Sequence, residues 1–392
     1  MKVSVYNGAG QADYLYGLVS GLSSAPIEEI DVLDINLTAP LFKDFSKTKF
    51  HDVYHYQKKG TPLIRKALNI IRFYALQSYH ILKSSHRIIH FQWLDRYLLM
   101  DRIYLPLLAR LRGHKVILTV HNVNAKKRDN KDSYYNRSTL YFLYHICNHL
   151  IVHTEKSKTE LVKEFNIDPS KISVVEHGMN NKVVTTNISN AEAKKMLNIP
   201  SDKKVVLFFG NIDYYKGLDM LISSLDYMSS GLRNNLVLLI AGNYKNKEYY
   251  DQLLSQLDND SLKEIVFAHI RFIQDAEIEN YFMASDCIVL PYRDIYQSGV
   301  LFMAYNFGLP ALATRVGNFE NDILQNKTGL LIDEISPESI AQTLEAYFKS
   351  DLYNNLPVTR SYIKEWSHER YSWDKIGKDT CQLYSKVLTH EK

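Results

Sequence analysis

The stretch 286–314 constrains the fold of this chain more than any other segment. It begins with an apolar run (Cys287–Leu290), passes through a polar loop to Gln297-Ser298-Gly299, and continues as a helical pattern that ends at Gly308. Strand, Ser-Gly turn, helix, Gly stop and strand are typical of an α/β nucleotide-binding domain. Free backbone N–H groups at such a helix start favour a phosphate, although an ordinary surface turn has the same spacing.

A second loop of this kind lies earlier in the chain. The apolar run Val205–Phe209 predicts a buried strand, and Gly210-Asn211 follows it directly. Lys216-Gly217 then precedes a helical pattern that begins at Leu218. A cation at a helix start suits a diphosphate. Most lysines in such loops are simply solvated, and the position alone leaves both interpretations open.

The N-terminal strand is followed by a glycine turn. Val3–Tyr6 is apolar, and Gly8 and Gly10 lie in the turn that follows. Asp13 stands where a dinucleotide-binding fingerprint would have its third glycine, which makes a dehydrogenase the least favoured enzyme class. The position at the carboxyl end of a first strand favours a loop that lines a cleft.

His121 follows another β-rich run, 116–120. Parallel sheets keep their sites at the carboxyl edge of the strands, so the position favours a site residue over a capped strand end. Lys126-Lys127-Arg128 lies in the loop beyond it.

The strand and helix patterns repeat along 392 residues, a length that predicts two domains. The polar segment 187–201 is the predicted linker. We therefore expect an α/β protein with two doubly wound, Rossmann-like domains facing a central cleft. Residues of the 40s to 60s, rich in Tyr, Phe, His and Lys, show no clear period. They are either loops that contact an acceptor or a membrane, or helices without a readable phase.

The charge of the chain is unevenly distributed. The net charge is +4, yet the first 180 residues hold 25 Lys and Arg against 16 Asp and Glu, or +9, and the remainder holds 22 against 27, or −5. A basic first half suits an anionic partner such as a membrane surface or a phosphate-bearing acceptor, and equally a plain solvated surface. No nucleic-acid-binding signature is present.

Neither the cysteines nor the histidines predict a metal site. The three cysteines are widely spaced and are expected to be apolar filler: Cys147, Cys287 and Cys381. His51 and His55 have helical i,i+4 spacing but no clear third ligand, so we expect no metal and no other cofactor. Without a transmembrane or signal segment, the expected location is the cytoplasm.

Taken together, the motifs resemble those of family-four retaining glycosyltransferases of the GT-B fold, of the bacterial type that builds surface polysaccharides. The matching segments occur in the family's order and cover nearly the whole chain: Val120-His121-Asn122, Ile151-Val152-His153-Thr154, Gly210-Asn211-(x)4-Lys216-Gly217, Ser298-Gly299 and Gly308-Leu309-Pro310. The resemblance implies an acceptor-binding domain over 1–185, a nucleotide-sugar-binding domain over 186–370, and a terminal helix, 371–392, that crosses back to the first domain.

The resemblance also implies roles for individual residues. His121 would lie near the transferred sugar, Lys216 would neutralise the donor diphosphate, and Asp294 would take part in catalysis. The implied donor-binding set is Gly210, Asn211, Lys216, Gly217, Arg271, Asp294, Gln297, Ser298, Gly299 and Val300. Helix N-termini and a lysine stabilise a departing diphosphate electrostatically, so the implied transfer is independent of metal.

Two positions depart from the family pattern. Met303 replaces the glutamate that binds ribose, while the first glutamate of that pair falls near Asp294. Asn211 stands at the position of an arginine, which removes one positive charge from the diphosphate site.

The leading hypothesis is a metal-independent hexosyltransferase that uses a UDP- or GDP-sugar. Its acceptor would be an oligosaccharide or a polyprenyl-diphosphate-linked saccharide at the inner face of the plasma membrane, in the synthesis of capsule, exopolysaccharide or O-antigen. A GT-B sugar-nucleotide epimerase and a catalytically inactive binding partner are the alternatives. The departures at Asn211 and Met303 motivate the inactive partner.

Overall fold

The chain folds into two compact units. The computed structural model describes residues 1–8, 10–54, 62–94, 96–128, 132–179 and 185–389. One unit comprises Met1–Gly178 and the C-terminal segment from Tyr371, and the other comprises Met179–Arg370. The chain thus passes between the units at Met179 and at Tyr371, compared with predicted boundaries at 186 and 371.

In its described residues the first unit contains a seven-stranded parallel sheet, ordered β3-β2-β1-β4-β5-β6-β7. The strands are β1 (Lys2–Tyr6), β2 (Glu29–Ile35), β3 (Thr48–Tyr54), β4 (Ile88–Phe91), β5 (Lys115–Thr119), β6 (His149–Val152) and β7 (Ile172–Val174). The helices that join them are α1 (Ala12–Ser24), α2 (Leu63–Lys83), α3 (Leu105–Leu111), α4 (Ala125–Arg128), α5 (Tyr134–Ile146) and α6 (Glu155–Phe165). Helices cover both faces, as a doubly wound parallel sheet requires.

The described part of the second unit contains a six-stranded parallel sheet, ordered β10-β9-β8-β11-β12-β13. The strands are β8 (Lys204–Phe209), β9 (Leu236–Ala241), β10 (Val266–His269), β11 (Cys287–Leu290), β12 (Ala311–Thr314) and β13 (Gly329–Ile332). The helices are α7 (Asn190–Met196), α8 (Leu218–Ser224), α9 (Ser230–Arg233), α10 (Lys247–Leu257), α11 (Ile278–Ala284), α12 (Gly299–Asn306), α13 (Phe319–Asp322), α14 (Pro337–Lys349), α15 (Asp351–Asn354) and α16 (Leu356–Tyr371). Two Rossmann-like α/β units confirm the predicted fold class.

The last helix, α17 (Trp373–Thr389), belongs to the first unit and packs closely on α1. A Cβ atom added at Gly17 would lie 1.9 Å from the Trp373 ring, and one added at Gly21 would lie 2.0 Å from the Trp373 carbonyl oxygen. The two helix backbones therefore approach as closely as glycine allows, and Trp373 is fully enclosed in the core of this unit.

The residues of the 40s to 60s, which show no clear period in the sequence, form mostly regular structure where they are described. A 3-10 helix, Asn36–Phe42, leads to β3, and α2 begins at Leu63. The helical spacing assigned to His51 is wrong, because His51 lies in β3, and His55 falls outside the described residues. Among the residues that the structure describes, no helix has the length and apolar character needed to cross a membrane.

Candidate active site

The loop after β8 is built for close backbone approach. Gly210 has φ +101° and Gly242, at the end of β9, has φ +149°. A Cβ on Gly242 would lie 1.9 Å from the Gly210 carbonyl oxygen. One on Gly210 would lie 3.0 Å from Lys216 Nζ and 3.3 Å from Val300 Cγ2. The loop after β8, the Lys216 side chain and the start of α12 thus meet at Gly210.

Lys216 is buried at this point. It ends a 3-10 turn, Tyr214–Lys216, which Asp213 caps, and Gly217 with φ +69° turns the chain into α8. Its Nζ lies 5.3 Å from the centroid of the Tyr292 ring. Within the described part of the chain no hydrogen bond or ion pair neutralises the ammonium, and burial lowers its pKa. A buried cation without a counter-ion is unfavourable in the free protein and ready for an anion.

Across from Lys216, α12 begins with a capped turn. Ser298 is buried and accepts a hydrogen bond from the Leu301 amide, 3.4 Å away. Gly299 is exposed, and a Cβ there would meet no atom within 4 Å. The first backbone amides of α12 therefore border open space, where a helix N-terminus favours negative charge.

Gln297 adds a further polar group. Both of its terminal atoms, Nε2 and Oε1, are buried, and neither has a hydrogen-bond partner among the described residues. Leaving one buried polar group unsatisfied costs about 1–3 kcal/mol. Because buried polar groups are normally hydrogen-bonded, Gln297 is a candidate to bind a ligand at this loop.

Arg293 is a residue of this site that the sequence did not reveal. Its guanidinium donates two hydrogen bonds to Asp219, of 2.9 and 2.6 Å. The guanidinium carbon, Cζ, lies over the Tyr214 ring, 4.1 Å from the ring centroid. Its backbone amide donates to the Tyr215 carbonyl and its Nη1 donates to the Tyr214 carbonyl. Arg293 therefore holds two segments together: the turn that contains Lys216 and the loop that precedes α12. No local spacing signals this role.

The other residues considered for the donor site differ in exposure and in whether a protein partner already occupies them. Asp294 and Asn211 are exposed on the two loops, and Met303 is half-buried on α12. Arg271 is exposed and forms paired hydrogen bonds with Glu277, of 2.8 and 2.5 Å. Any contact from Arg271 to a donor would have to compete with Glu277.

In the first unit, a tryptophan joins the glycine turn to His121. A Cβ on Gly10 would lie 1.5 Å from the Trp93 ring, and one on Gly8, with φ +61°, would lie 2.3 Å from the Trp93 carbonyl oxygen. The Trp93 ring stacks on His121 at 4.1 Å and 6°. The glycines at positions 8 and 10 are therefore required by Trp93, and the turn and His121 form one structure.

A chain of hydrogen bonds fixes the tautomer of His121. His153 Nδ1 lies 2.9 Å from the Val175 carbonyl oxygen, which can only accept, so His153 carries its proton on Nδ1. Its Nε2 then accepts from His121 Nδ1 at 3.1 Å. His121 Nε2 is left as a buried acceptor, without a partner among the described residues.

Burial keeps these imidazoles neutral. It lowers the pKa of His121 well below its usual value, to which the neighbouring His153 and His177 add. It also lowers the pKa of His153 to about 3 and that of His177 to about 4. His121 beside them opens onto a cavity of about 270 Å³ that Asn122 and Lys126 also line. The chemistry available at His121 is acceptance of a hydrogen bond from a hydroxyl.

The fold and these loops define the class. Residues 9–182 match Glycosyltransferase Family 4, and residues 189–365 match Glycosyl transferases group 1. Two parallel-sheet Rossmann-like units of this kind make up the GT-B fold. The chain is thus a GT-B protein composed of a family 4 glycosyltransferase domain followed by a group 1 glycosyltransferase domain.

Curated relatives match about half of the chain. An uncharacterized glycosyltransferase of Methanocaldococcus jannaschii is 26% identical over 187 residues, 47% of this chain and 45% of the relative. A D-inositol 3-phosphate glycosyltransferase of Corynebacterium efficiens is 27% identical over 197 residues, 48% and 44% of the two chains. The matched region spans about half the length of these relatives.

Solved structures share the fold over the whole chain. Sucrose-phosphate synthase from Thermosynechococcus elongatus has a TM-score of 0.73 at 16% identity, with 100% of both chains covered. Anabaena HepE in complex with UDP has a TM-score of 0.74 at 13% identity, with 98% of this chain and 100% of HepE covered. At these identities the likeness shows the fold.

Proposed function

We propose that the protein is a retaining, metal-independent glycosyltransferase that moves a hexosyl group from a UDP- or GDP-sugar to a lipid-linked or oligosaccharide acceptor in surface-polysaccharide synthesis. The observation that carries the proposal is Lys216, a buried cation without a counter-ion in the described chain, beside the open start of α12. A diphosphate supplies the missing negative charge.

The donor would be held by groups of the second unit. The diphosphate accepts from Lys216 Nζ and from the first amides of α12, and the orphaned Gln297 amide completes its hydrogen bonds with the donor. When the glycosidic bond to the diphosphate breaks, negative charge grows on the leaving oxygens. A fixed ammonium and a helix N-terminus stabilise that charge without needing to reorganise.

His121 would act on the transferred sugar. Its neutral Nε2 accepts a hydrogen bond from a sugar hydroxyl and thereby orients the ring, while the stack on Trp93 fixes the plane of the imidazole. We expect His121→Ala to lower the turnover of transfer more than donor affinity. Equal losses in both would assign His121 a binding role only.

A screen of nucleotide sugars tests donor binding. The thermal midpoint is measured with UDP-, GDP-, TDP- and CMP-sugars, each with and without EDTA, against a buffer-matched control. HepE, which binds UDP and UDP-glucose, makes UDP-glucose the first donor to try. A native-state ligand at about 100 times its Kd stabilises by about 2.7 kcal/mol. We expect one base to raise the midpoint selectively and equally in EDTA.

Two outcomes would redirect the proposal. A donor that binds without any transfer or hydrolysis would favour the inactive-partner alternative, which the departures at Asn211 and Met303 motivate. Epimerisation of the bound sugar nucleotide in place of transfer would favour the epimerase. No shift with any donor, together with no transfer, would contradict the assignment of the Lys216 site.

The lipid-linked acceptor places the protein at a membrane surface, and α2 offers a surface for it. Four apolar side chains near its start are 61–82% exposed: Leu63, Ile64, Leu68 and Ile71. Arg65 and Lys66 are exposed among them. Apolar side chains interleaved with basic ones suit an anionic bilayer, where each basic residue contributes about 1 kcal/mol.

Vesicle co-sedimentation tests this surface. We expect the protein to bind vesicles containing phosphatidylglycerol more strongly than phosphatidylcholine vesicles, and Ile64→Ser with Leu68→Ser to reduce that binding. Val358→Ser, at a side chain 70% exposed on α16 in the second unit, is the control. Equal binding by the α2 variant and the control would contradict a membrane role for α2.

A further inference from the structure

One face of the sheet in the first unit is unusually polar. Ile30 and Val32 of β2 point into the apolar core, while Glu29 and Asp31 point to the opposite face. Parallel strands covered on both faces are normally apolar throughout. A carboxylate in the middle of such a strand requires partners that compensate for its burial.

Imidazoles from two other elements supply those partners. His51 Nε2, from β3, lies 3.0 Å from Asp31 Oδ1, and His80 Nε2, from the last turn of α2, lies 3.0 Å from Asp31 Oδ2. The two rings are 4.8 Å apart between centroids. The three ligand atoms all lie within 4.8 Å of one another. We call Asp31, His51 and His80 the Asp-His-His cluster.

We propose that the Asp-His-His cluster binds a divalent transition-metal ion of the zinc type. Two imidazole nitrogens and one carboxylate oxygen are the ligands that such ions prefer, and three protein ligands leave a fourth position open. A tetrahedral ion with Zn–N distances of about 2.0–2.1 Å needs ligand atoms about 3–3.5 Å apart. Each histidine Nε2 lies 3.0 Å from an Asp31 oxygen, which is close to that requirement.

The surroundings of the cluster are those of a metal site. Tyr6 OH lies 2.7 Å from His80 Nδ1 and fixes the His80 ring so that Nε2 faces Asp31. The far nitrogen of a ligating histidine usually donates to a carboxylate, a backbone carbonyl or a water molecule, and the Tyr6 hydroxyl oxygen can accept that hydrogen bond here. On metal binding the single proton of each neutral imidazole would move from Nε2 to Nδ1 by exchange with solvent, so that Nε2 is free to ligate and His80 Nδ1 donates to the Tyr6 oxygen.

The fourth position faces solvent. The cluster lines a cavity of about 680 Å³, and the side chains of Asp31 and His80 are 10% and 12% exposed, against 28% for His51. An ion therefore has an entry path, and a water molecule from the cavity completes its coordination. The second carboxylate nearby, Glu29, is paired with Lys2 at 2.7 Å and is therefore a weaker candidate.

The cluster shares no residue with the donor loops of the second unit. It differs from the expectation drawn from the sequence, in which His51 had no third ligand because Asp31 and His80 are 20 and 29 residues away along the chain. Sequence spacing could not join them. Pairing of β3 with β2, and the packing of α2 against that edge, brings them together.

The test measures metal content in the full-length protein. The chain is stripped with a chelator, reloaded with Zn²⁺, passed through a desalting column and measured by inductively coupled plasma mass spectrometry. We expect about one zinc per chain in the wild type, at least a tenfold lower zinc content in His51→Gln and His80→Gln, and an unchanged content in His145→Gln. His145 is the matched control, a half-buried histidine of α5 in the same unit.

A spectroscopic measurement keeps the proposal falsifiable if a variant fails to fold. Co²⁺ in the wild type should give the strong visible absorption of a four-coordinate site, displaced by one equivalent of Zn²⁺. Tyr6→Phe should weaken zinc binding about 10- to 100-fold in a protein that still unfolds cooperatively. Less than a tenth of an equivalent of zinc in the wild type, or an unchanged amount in His51→Gln, would overturn the proposal.

The midpoint shift caused by UDP-glucose is measured on the same samples. Zinc binding without a donor shift would leave the metal site standing while the proposed function fails. A donor shift without zinc binding would do the reverse.

Discussion

Replacing Lys216 by Met should stabilise the free protein and weaken donor binding at the same time. Lys216 is 6% exposed, and in the described part of the chain no hydrogen bond or ion pair compensates its charge. Met keeps most of the apolar stem and removes the buried ammonium. An unpaired buried charge costs several kcal/mol, part of which solvent near Nζ recovers, so we expect a gain of about 1–2 kcal/mol. That gain raises the midpoint by roughly 2–8 °C for a unit of this size.

The loss in donor affinity follows from the same geometry. A unit charge 4 Å from a phosphate oxygen at an effective dielectric constant of 20 contributes about 4 kcal/mol before desolvation. Measured hydrogen bonds to charged groups contribute about 1.5–3 kcal/mol net. We therefore expect the Kd for the nucleoside diphosphate to rise about 10- to 150-fold.

Differential scanning calorimetry of the free protein and isothermal titration with the nucleoside diphosphate measure the two effects. Lys327→Met, at an exposed lysine of the same unit, is the control and should change neither quantity by much. A Lys216→Met protein that melts lower and binds the diphosphate as tightly as the wild type would refute the reasoning. It would show that the ammonium is stabilised within the fold and does not await an anion.

Three further perturbations test other contacts. Arg293→Lys loses the paired hydrogen bonds to Asp219. We therefore expect the KM for the donor to rise several-fold and the free energy of unfolding, measured in urea, to fall by about 1–3 kcal/mol. An unchanged KM would show that Arg293 does not position the donor loop. The neutral imidazole of His177, with its pKa near 4, should make the protein less stable as pH falls from about 6.5 towards 4, because the unfolded chain binds the proton first. The loss of unfolding free energy from this group reaches about 3 kcal/mol. Urea titrations at pH 7, 6 and 5 should therefore show that the free energy of unfolding depends less on pH in His177→Gln than in the wild type. The same pH dependence in both proteins would contradict the burial argument. Gly10→Ala places a methyl group where the Trp93 ring lies, so transfer should drop and tryptophan fluorescence should change, whereas full activity with an unchanged spectrum would show that the turn absorbs the methyl group.

The strands of both sheets were readable from the sequence because parallel strands are buried on both faces. Runs such as Val205–Phe209 and Cys287–Leu290 are continuous apolar stretches that end at turn residues. That pattern is local and needs no knowledge of the partners. The helix α2 was not readable, because its exposed Leu and Ile residues obscure the period that burial would otherwise impose.

The loops that carry the donor-site residues were also readable, since each consists of consecutive residues after a strand. Gly210, Lys216 and Ser298 were placed on such loops by spacing alone. Their roles toward a donor stay a prediction. Neither Arg293 nor Trp93 could be identified from the sequence, because each acts through a contact with a segment that is distant in the chain.

The sequence by itself determined the βα repeats, the two-domain organisation and the resemblance to glycosyltransferases, because strand burial, helix caps and glycine turns are written in neighbouring residues. Only the tertiary structure decided that Lys216 is buried without a counter-ion among the described residues, that His121 presents a neutral acceptor, and that His51 meets Asp31 and His80. Charge state and ligand geometry depend on which atoms lie within a few ångströms, and sheet pairing and helix packing bring those atoms together from distant parts of the chain.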